Sequence, residues 1–184
     1  MSAALRWLVA TTLGLVIGGF ALHFPGSFGG QVGWSLAAAA FGLILGFMTG
    51  AVVGIMQWAS LLLPRRIGMR LVLAMALSVG ATHALFDGSP TLAPLPLVAA
   101  LSGILTAAAF AWLLGERARI LFVASAVAWA VGIVIADILS NAIGLPFEET
   151  PVGWSMDHAF DGLIVGIIWG GTTAVGGIRP IYRG

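Results

Sequence analysis

Six long apolar stretches dominate this chain, and they constrain its fold more than any other feature. They run approximately over Leu5–Leu22, Trp34–Leu63, Arg70–Phe86, Leu95–Leu114, Ile120–Ala142 and Trp154–Ile178. A helix of about 20 apolar residues crosses a bilayer. Only 8% of the 184 residues are charged, whereas a soluble domain has about 25%. The stretches lack the period-two alternation of a membrane barrel. We therefore expect an all-α membrane domain with six transmembrane helices.

The basic residues predict the orientation of these helices. All eight are arginines: Arg6, Arg65, Arg66, Arg70, Arg117, Arg119, Arg179 and Arg183. With six spans, they fall on one side of the membrane. The loops near residues 23–33, 87–94 and 143–153 contain no basic residue. Because cytoplasmic loops carry the excess of positive charge, we expect both termini in the cytoplasm of a bacterial-type inner membrane and these three loops outside.

An internal repeat predicts how the helices are grouped. Residues 152–166, "VGWSMDHAFDGLIVG", match residues 32–46, "VGWSLAAAAFGLILG", at nine of fifteen positions. A weaker similarity joins "AWLLGER" to "QWASLLLPRR". We interpret the chain as one membrane domain, 1–184, made of three helical hairpins at about 1–64, 67–115 and 118–179. Every hairpin starts on the same side, so the repeats are parallel rather than inverted.

Glycines recur every four residues in the second and sixth stretches. They are Gly42, Gly46, Gly50 and Gly54 in one and Gly162, Gly166 and Gly170 in the other. Such ridges let helix backbones approach closely in lipid. We expect them to pack helices within the chain. The alternative is an interface with a second copy or with a larger membrane complex.

One short motif carries a family resemblance. Gly50, Gly54, Gln57 and Trp58 form the pattern GxxxGxxQW. With the hairpin layout, this pattern resembles that of small bacterial membrane proteins built from repeated hairpins. The resemblance implies the hairpin architecture, and it implies no activity and no catalytic residue.

The second copy of the repeat carries ionisable side chains where the first copy has Ala, Ala and Phe. These side chains are Asp157, His158 and Asp161. At about 100° per residue they share one face of a helix. An ionised side chain at mid-bilayer costs about 2.5–3.5 kcal/mol on insertion scales, and such side chains usually face a protein interior. A functional site is therefore expected on this face.

Further candidates lie near the outer ends of the third and fifth stretches. The full set of candidate ligand-binding residues is Asp161, His158, Asp137, His83, Asp157 and Asp87. We expect these side chains to form an outer-side pocket that binds or conducts a small solute, a cation or a proton. For Asp157 a helix-terminus role is the favoured alternative to ligand binding, and for Asp87 a turn.

Other functions remain open at this stage. Nitrogen and oxygen ligands would suit Zn²⁺ or Mn²⁺, and imidazoles in apolar helices can hold haem or a pigment, but no spacing is specific for either. Catalytic motifs and a basic stripe for nucleic acid are absent from the sequence, so an enzyme is disfavoured. The alternative to transport is a non-enzymatic accessory subunit of a photosynthetic or respiratory membrane complex.

Overall fold

The computed structural model describes residues 2–26, 36–88, 95–114, 119–143 and 151–176, which fold into six helices. These are α1 Ala3–Gly26, α2 Leu36–Leu61, α3 Arg65–Gly88, α4 Leu95–Leu114, α5 Arg119–Ile143 and α6 Pro151–Gly176. Each helix overlaps one of the six apolar stretches, and all but α4 differ from it at one or both ends. Four of them, α1, α2, α3 and α5, are long and apolar enough to cross a membrane. The all-α prediction is confirmed, and these four helices indicate a membrane protein.

The third helix is longer than the sequence pattern predicted. It begins at Arg65, five residues before the predicted start, and contains 24 residues. Pro64 immediately precedes it, and the amides of Ile67 and Gly68 donate to the Pro64 carbonyl at 3.0 and 2.9 Å. Proline favours a helix start because its missing N–H is not needed there. The two arginines that the pattern assigned to a loop therefore form the first turn of α3.

The connection between α2 and α3 is tightly built. Leu62 adopts a left-handed conformation with φ of 55°, which ends α2, and the Leu63 amide donates to the Trp58 carbonyl. The Trp58 indole then donates to the Leu63 carbonyl at 2.7 Å. Its ring packs on Gly68, where a Cβ atom would collide with it. This tryptophan of the GxxxGxxQW motif thus fixes the turn between two helices.

The six helices pack as a ring in chain order, and α6 closes the ring against α1. The pairs α2–α3, α4–α5 and α6–α1 pack more extensively than α1–α2, α3–α4 and α5–α6. Helices α3 and α6 therefore stand on opposite sides of the ring. We call the end where α1 and α3 begin the arginine end, after Arg6, Arg65 and Arg66, and the opposite end the acidic end.

The surface of this ring is apolar, as lipid requires. Along α1, the exposed large side chains recur at helical spacing and are Leu5, Val9, Leu13, Ile17 and Phe20. Comparable exposed side chains occur on each of the helices α2 to α6. The buried residues, in contrast, include Thr11 and Gln57, both fully buried. A large apolar surface around a partly polar interior is typical of a bundle whose solvent is a bilayer.

Candidate functional site

Three candidate residues lie on the part of α6 nearest the acidic end. Because α6 begins at Pro151 rather than near Trp154, Asp157 lies in its second turn. The first turn contains no acidic residue, so the helix-terminus interpretation of Asp157 was wrong. The Ser140 hydroxyl of α5 instead donates to Asp157 Oδ1 at 2.5 Å. This bond joins α5 to α6 beside the site.

Asp161 is the least satisfied member of the group. Its Oδ1 atom is buried and has no hydrogen-bond partner in the described part of the chain. Asp157, one turn away on α6, and Asp137 on α5 lie close enough for their charges to act on Asp161. A buried polar atom without a partner costs about 1–3 kcal/mol, and more when it is charged. A carboxylate left in this condition is suited to an incoming proton or cation.

Asp137 joins the carboxylate group from the fifth helix. Its side chain is exposed on α5, and its backbone carbonyl accepts a hydrogen bond from Asn141 Nδ2 at 2.8 Å. With Asp157 and Asp161 it places three carboxylates on the two adjacent helices α5 and α6. The sequence placed these residues in the outer half of their helices but left open whether they met.

The two histidines come together from opposite sides of the ring. His83 on α3 and His158 on α6 lie close enough to repel each other when both imidazoles are protonated. His83 Nδ1 bonds to the Val79 carbonyl at 3.0 Å. Because a carbonyl only accepts, Nδ1 carries the proton in this bond, and Nε2 is the nitrogen that can accept a further proton. No spacing in the sequence pointed to this pairing.

Glycines set the positions of both histidines. A Cβ atom on Gly46 of α2 would lie 2.8 Å from the Cβ atom of His83. A Cβ atom on Gly19 of α1 would lie 2.6 Å from the backbone oxygen of His158. Larger residues would push α3 and α6 away from the ring. The closeness of the two imidazoles thus depends on small residues in the helices beside them.

The glycine ridges contact neighbouring helices of the same chain. Gly46, Gly50 and Gly54 lie against α3, and Gly162, Gly166 and Gly170 lie against α1. Gly42 is also buried. On α4, Gly103 lies against Ala126 of α5. Each of the three more extensive helix pairs therefore contains a glycine at which an added Cβ atom would collide with the backbone of the partner helix.

The side chain of Asp87 lies outside the described residues, as does that of His23. The place of Asp87 in the site stays a prediction. Within the described ranges, no group of three His, Asp or Glu residues lies close enough to hold a metal ion. The sequence-based suggestion of Zn²⁺ or Mn²⁺ therefore gains no support from this part of the chain.

A second polar group, nearer the arginine end, was not recognised as a unit from sequence. The fully buried Gln57 of α2 donates from Nε2 to Thr11 Oγ1 of α1 at 2.8 Å. The Trp7 indole donates to Thr173 Oγ1 of α6 at 3.0 Å. The signal was available, since Gln57 is an amide within an apolar stretch, but it did not say which side chain the amide would meet.

Comparison with models of protein families, with curated proteins and with solved structures finds no match for this chain. The function must therefore be argued from the chemistry of the described residues.

Proposed function

We propose that this protein binds, and conducts into or across the membrane, a small cation, an amine or a proton. The site is built on Asp161 and His158, with Asp137 and His83 as further members and Asp157 held beside them by Ser140. The observation that carries the proposal is the buried, unpartnered Oδ1 atom of Asp161 amid other carboxylates. A bound proton or cation would supply the missing partner of Oδ1 and would reduce the repulsion between Asp161 and the neighbouring carboxylates.

The proposal includes a membrane topology. All six helices cross a bacterial-type inner membrane, both termini are cytoplasmic, and the acidic end faces outward. The one-sided distribution of the arginines supports this orientation. The three hairpins form a parallel repeat, which is supported by the nine identical positions shared by residues 32–46 and 152–166.

The accessory-subunit alternative finds less support. It depended on glycine ridges that would be offered to partner helices. In the described residues those ridges lie against α1 and α3 of the same chain, so the surface that suggested this alternative is already occupied. A function in binding or permeation needs no such surface.

Transport into proteoliposomes tests the proposal. We expect Asp161→Asn to lower uptake of protons, followed with an enclosed pH dye, or of labelled methylammonium or rubidium, by about tenfold or more. A contact with a charged group contributes about 1.5–3 kcal/mol, and each 1.4 kcal/mol is a factor of ten. Asn141→Ala is the matched control, because Asn141 is exposed at the same end and, among the described residues, its side chain bonds to a backbone carbonyl. Equal uptake by wild type and Asp161→Asn for all three probes would overturn the proposal.

A further inference from the structure

The side-chain amide of Gln57 is buried in the ring, and one of its two polar atoms has no hydrogen-bond partner among the described residues. Its side chain is fully buried, Nε2 bonds to Thr11 Oγ1, and Oε1 has no hydrogen-bond partner in the described part of the chain. Exchanging the two ends of the amide would let Thr11 donate, but it would leave the NH₂ group unsatisfied instead. In both orientations a buried polar group points to a missing partner.

Three tryptophans lie close to Thr11, the partner of this amide, or to one another. Trp7 is one turn from Thr11 on α1, and the Thr11 side chain packs on Gly170, the neighbour of Trp169. The rings of Trp7 and Trp169 lie 6.4 Å apart, and those of Trp129 and Trp169 lie 5.3 Å apart, edge to face. All three side chains are at most 3% exposed. Helices α1, α5 and α6 thus bring a cluster of buried indole rings to within about one helical turn of Thr11.

This combination selects a chemical class of ligand. Indole faces attract cations, and an amide oxygen accepts a hydrogen bond from an N–H donor. The indole N–H of Trp129 also lacks a partner among the described residues, and it can donate to a water that accompanies the ligand. An ammonium-type cation supplies both the positive charge and the N–H donors, whereas a metal ion would call for several oxygen ligands.

We propose that Gln57, Thr11, Trp7, Trp129 and Trp169 form an inner binding site for ammonium or a small alkylammonium ion. The inference rests on the proposed function for the cationic nature of the ligand, and it names the class of that cation. Thr11 packs on Gly170, nine residues beyond Asp161, so the inner site lies roughly 13 Å from Asp161 along α6. The outer site at Asp161 and the inner site at Gln57 are successive binding sites along the same bundle.

Equilibrium binding of labelled methylammonium to the full-length protein in detergent tests this site. We expect wild type to bind two equivalents and to change its tryptophan emission. Gln57→Leu should bind one equivalent and lose the emission change, whereas Asp161→Asn should bind one and keep it. Thr11→Val is a second, isosteric variant in case Gln57→Leu does not fold. Thr106→Val is the control, because the buried Thr106 hydroxyl donates, within the described residues, to the Ser102 carbonyl of its own helix.

The outcomes separate the two proposals. Unchanged stoichiometry and emission in Gln57→Leu and Thr11→Val would overturn the inner site and leave the outer one standing. Two equivalents in Asp161→Asn would overturn the outer site and support the inner one. Absence of methylammonium binding by wild type would overturn the inner site, while proton and rubidium uptake would still decide the outer one.

Discussion

Gly46 of α2 lies so close to His83 of α3 that a Cβ atom added to it would come within 2.8 Å of the His83 Cβ atom and 2.6 Å of the Val79 carbonyl oxygen. A packing glycine and a candidate site residue are therefore one structural feature. The spacing of the helices determines where the imidazole lies. Changes in the ridges should consequently affect both stability and ligand binding.

We expect Gly46→Ala to destabilise the bundle by about 1–3 kcal/mol, because the new methyl group must push α2 away from α3. Thermal unfolding in detergent measures the effect. Gly171→Ala on α6 is the matched control, since nothing lies within 4 Å of its added Cβ atom, and alanine should stabilise that helix by about 0.5–1 kcal/mol. Equal melting temperatures for the two variants would contradict the close α2–α3 packing.

The bond from Ser140 to Asp157 predicts an asymmetry between two substitutions. Asp157→Ala removes the acceptor, and we expect it to lower the free energy of unfolding by about 1–2 kcal/mol. Asp157→Asn keeps an acceptor oxygen and should cost less. Chemical unfolding in mild detergent compares the two variants with Ser140→Ala. An Asp157→Ala variant as stable as wild type would show that the bond contributes nothing.

Removing the charge of Asp161, unlike removing the Asp157 side chain, should not lower the free energy of unfolding. Asp157 and Asp161 are like charges one turn apart, and such a pair destabilises a helix by about 0.2–0.5 kcal/mol when both are ionised. Asp161→Asn should therefore leave stability unchanged or slightly raised while uptake falls. A marked loss of stability in Asp161→Asn would instead identify the carboxylate as a structural partner.

Reverting the site to the first repeat separates function from folding. The variant Asp157→Ala/His158→Ala/Asp161→Phe copies the residues at the matching positions of residues 32–46. We expect it to insert, to unfold at a temperature close to that of the single variant Asp157→Ala, and to lose cation or proton uptake. If Asp157, His158 and Asp161 formed a structural ion-pair network, each single variant would be less stable than the triple variant, because it would leave a charged partner unpaired. Unchanged uptake in a folded triple variant would rule out the outer site.

Cysteine labelling tests the orientation, and the chain contains no native cysteine to interfere. Cysteines at Ser27, Ser89 and Thr150, which lie outside the described residues, should react with an impermeant thiol reagent in intact cells. A cysteine at Leu62, which is 81% exposed at the arginine end, should react only after permeabilisation. Gly68 is unsuitable as a probe because it packs on the Trp58 ring. The reverse pattern would place the acidic end in the cytoplasm.

The sequence by itself determined the class of the protein and the positions of its helices. Apolar length and the scarcity of charge leave helices as the only solution in lipid, and every predicted stretch became a helix. The ends of the helices were predicted less accurately. The helix α3 starts at Arg65 rather than at Arg70, and hydropathy missed this because it takes no account of Pro64, which favours a helix start. The sequence also singled out Asp161 and His158, since charge within an apolar stretch is expensive wherever the helix packs.

Only the tertiary structure decided which of these residues meet. Helical periodicity gives the face of each side chain on its own helix, but it contains no information on which helix lies opposite. The closure of the ring by α6 against α1 brought Thr173 to Trp7, and the packing of α2 on α1 brought Gln57 to Thr11. The ring as a whole placed His83 within reach of the charge of His158. Those contacts depend on backbone distances set by glycines on adjacent helices, and such distances arise from the packing of the whole ring rather than from any single segment.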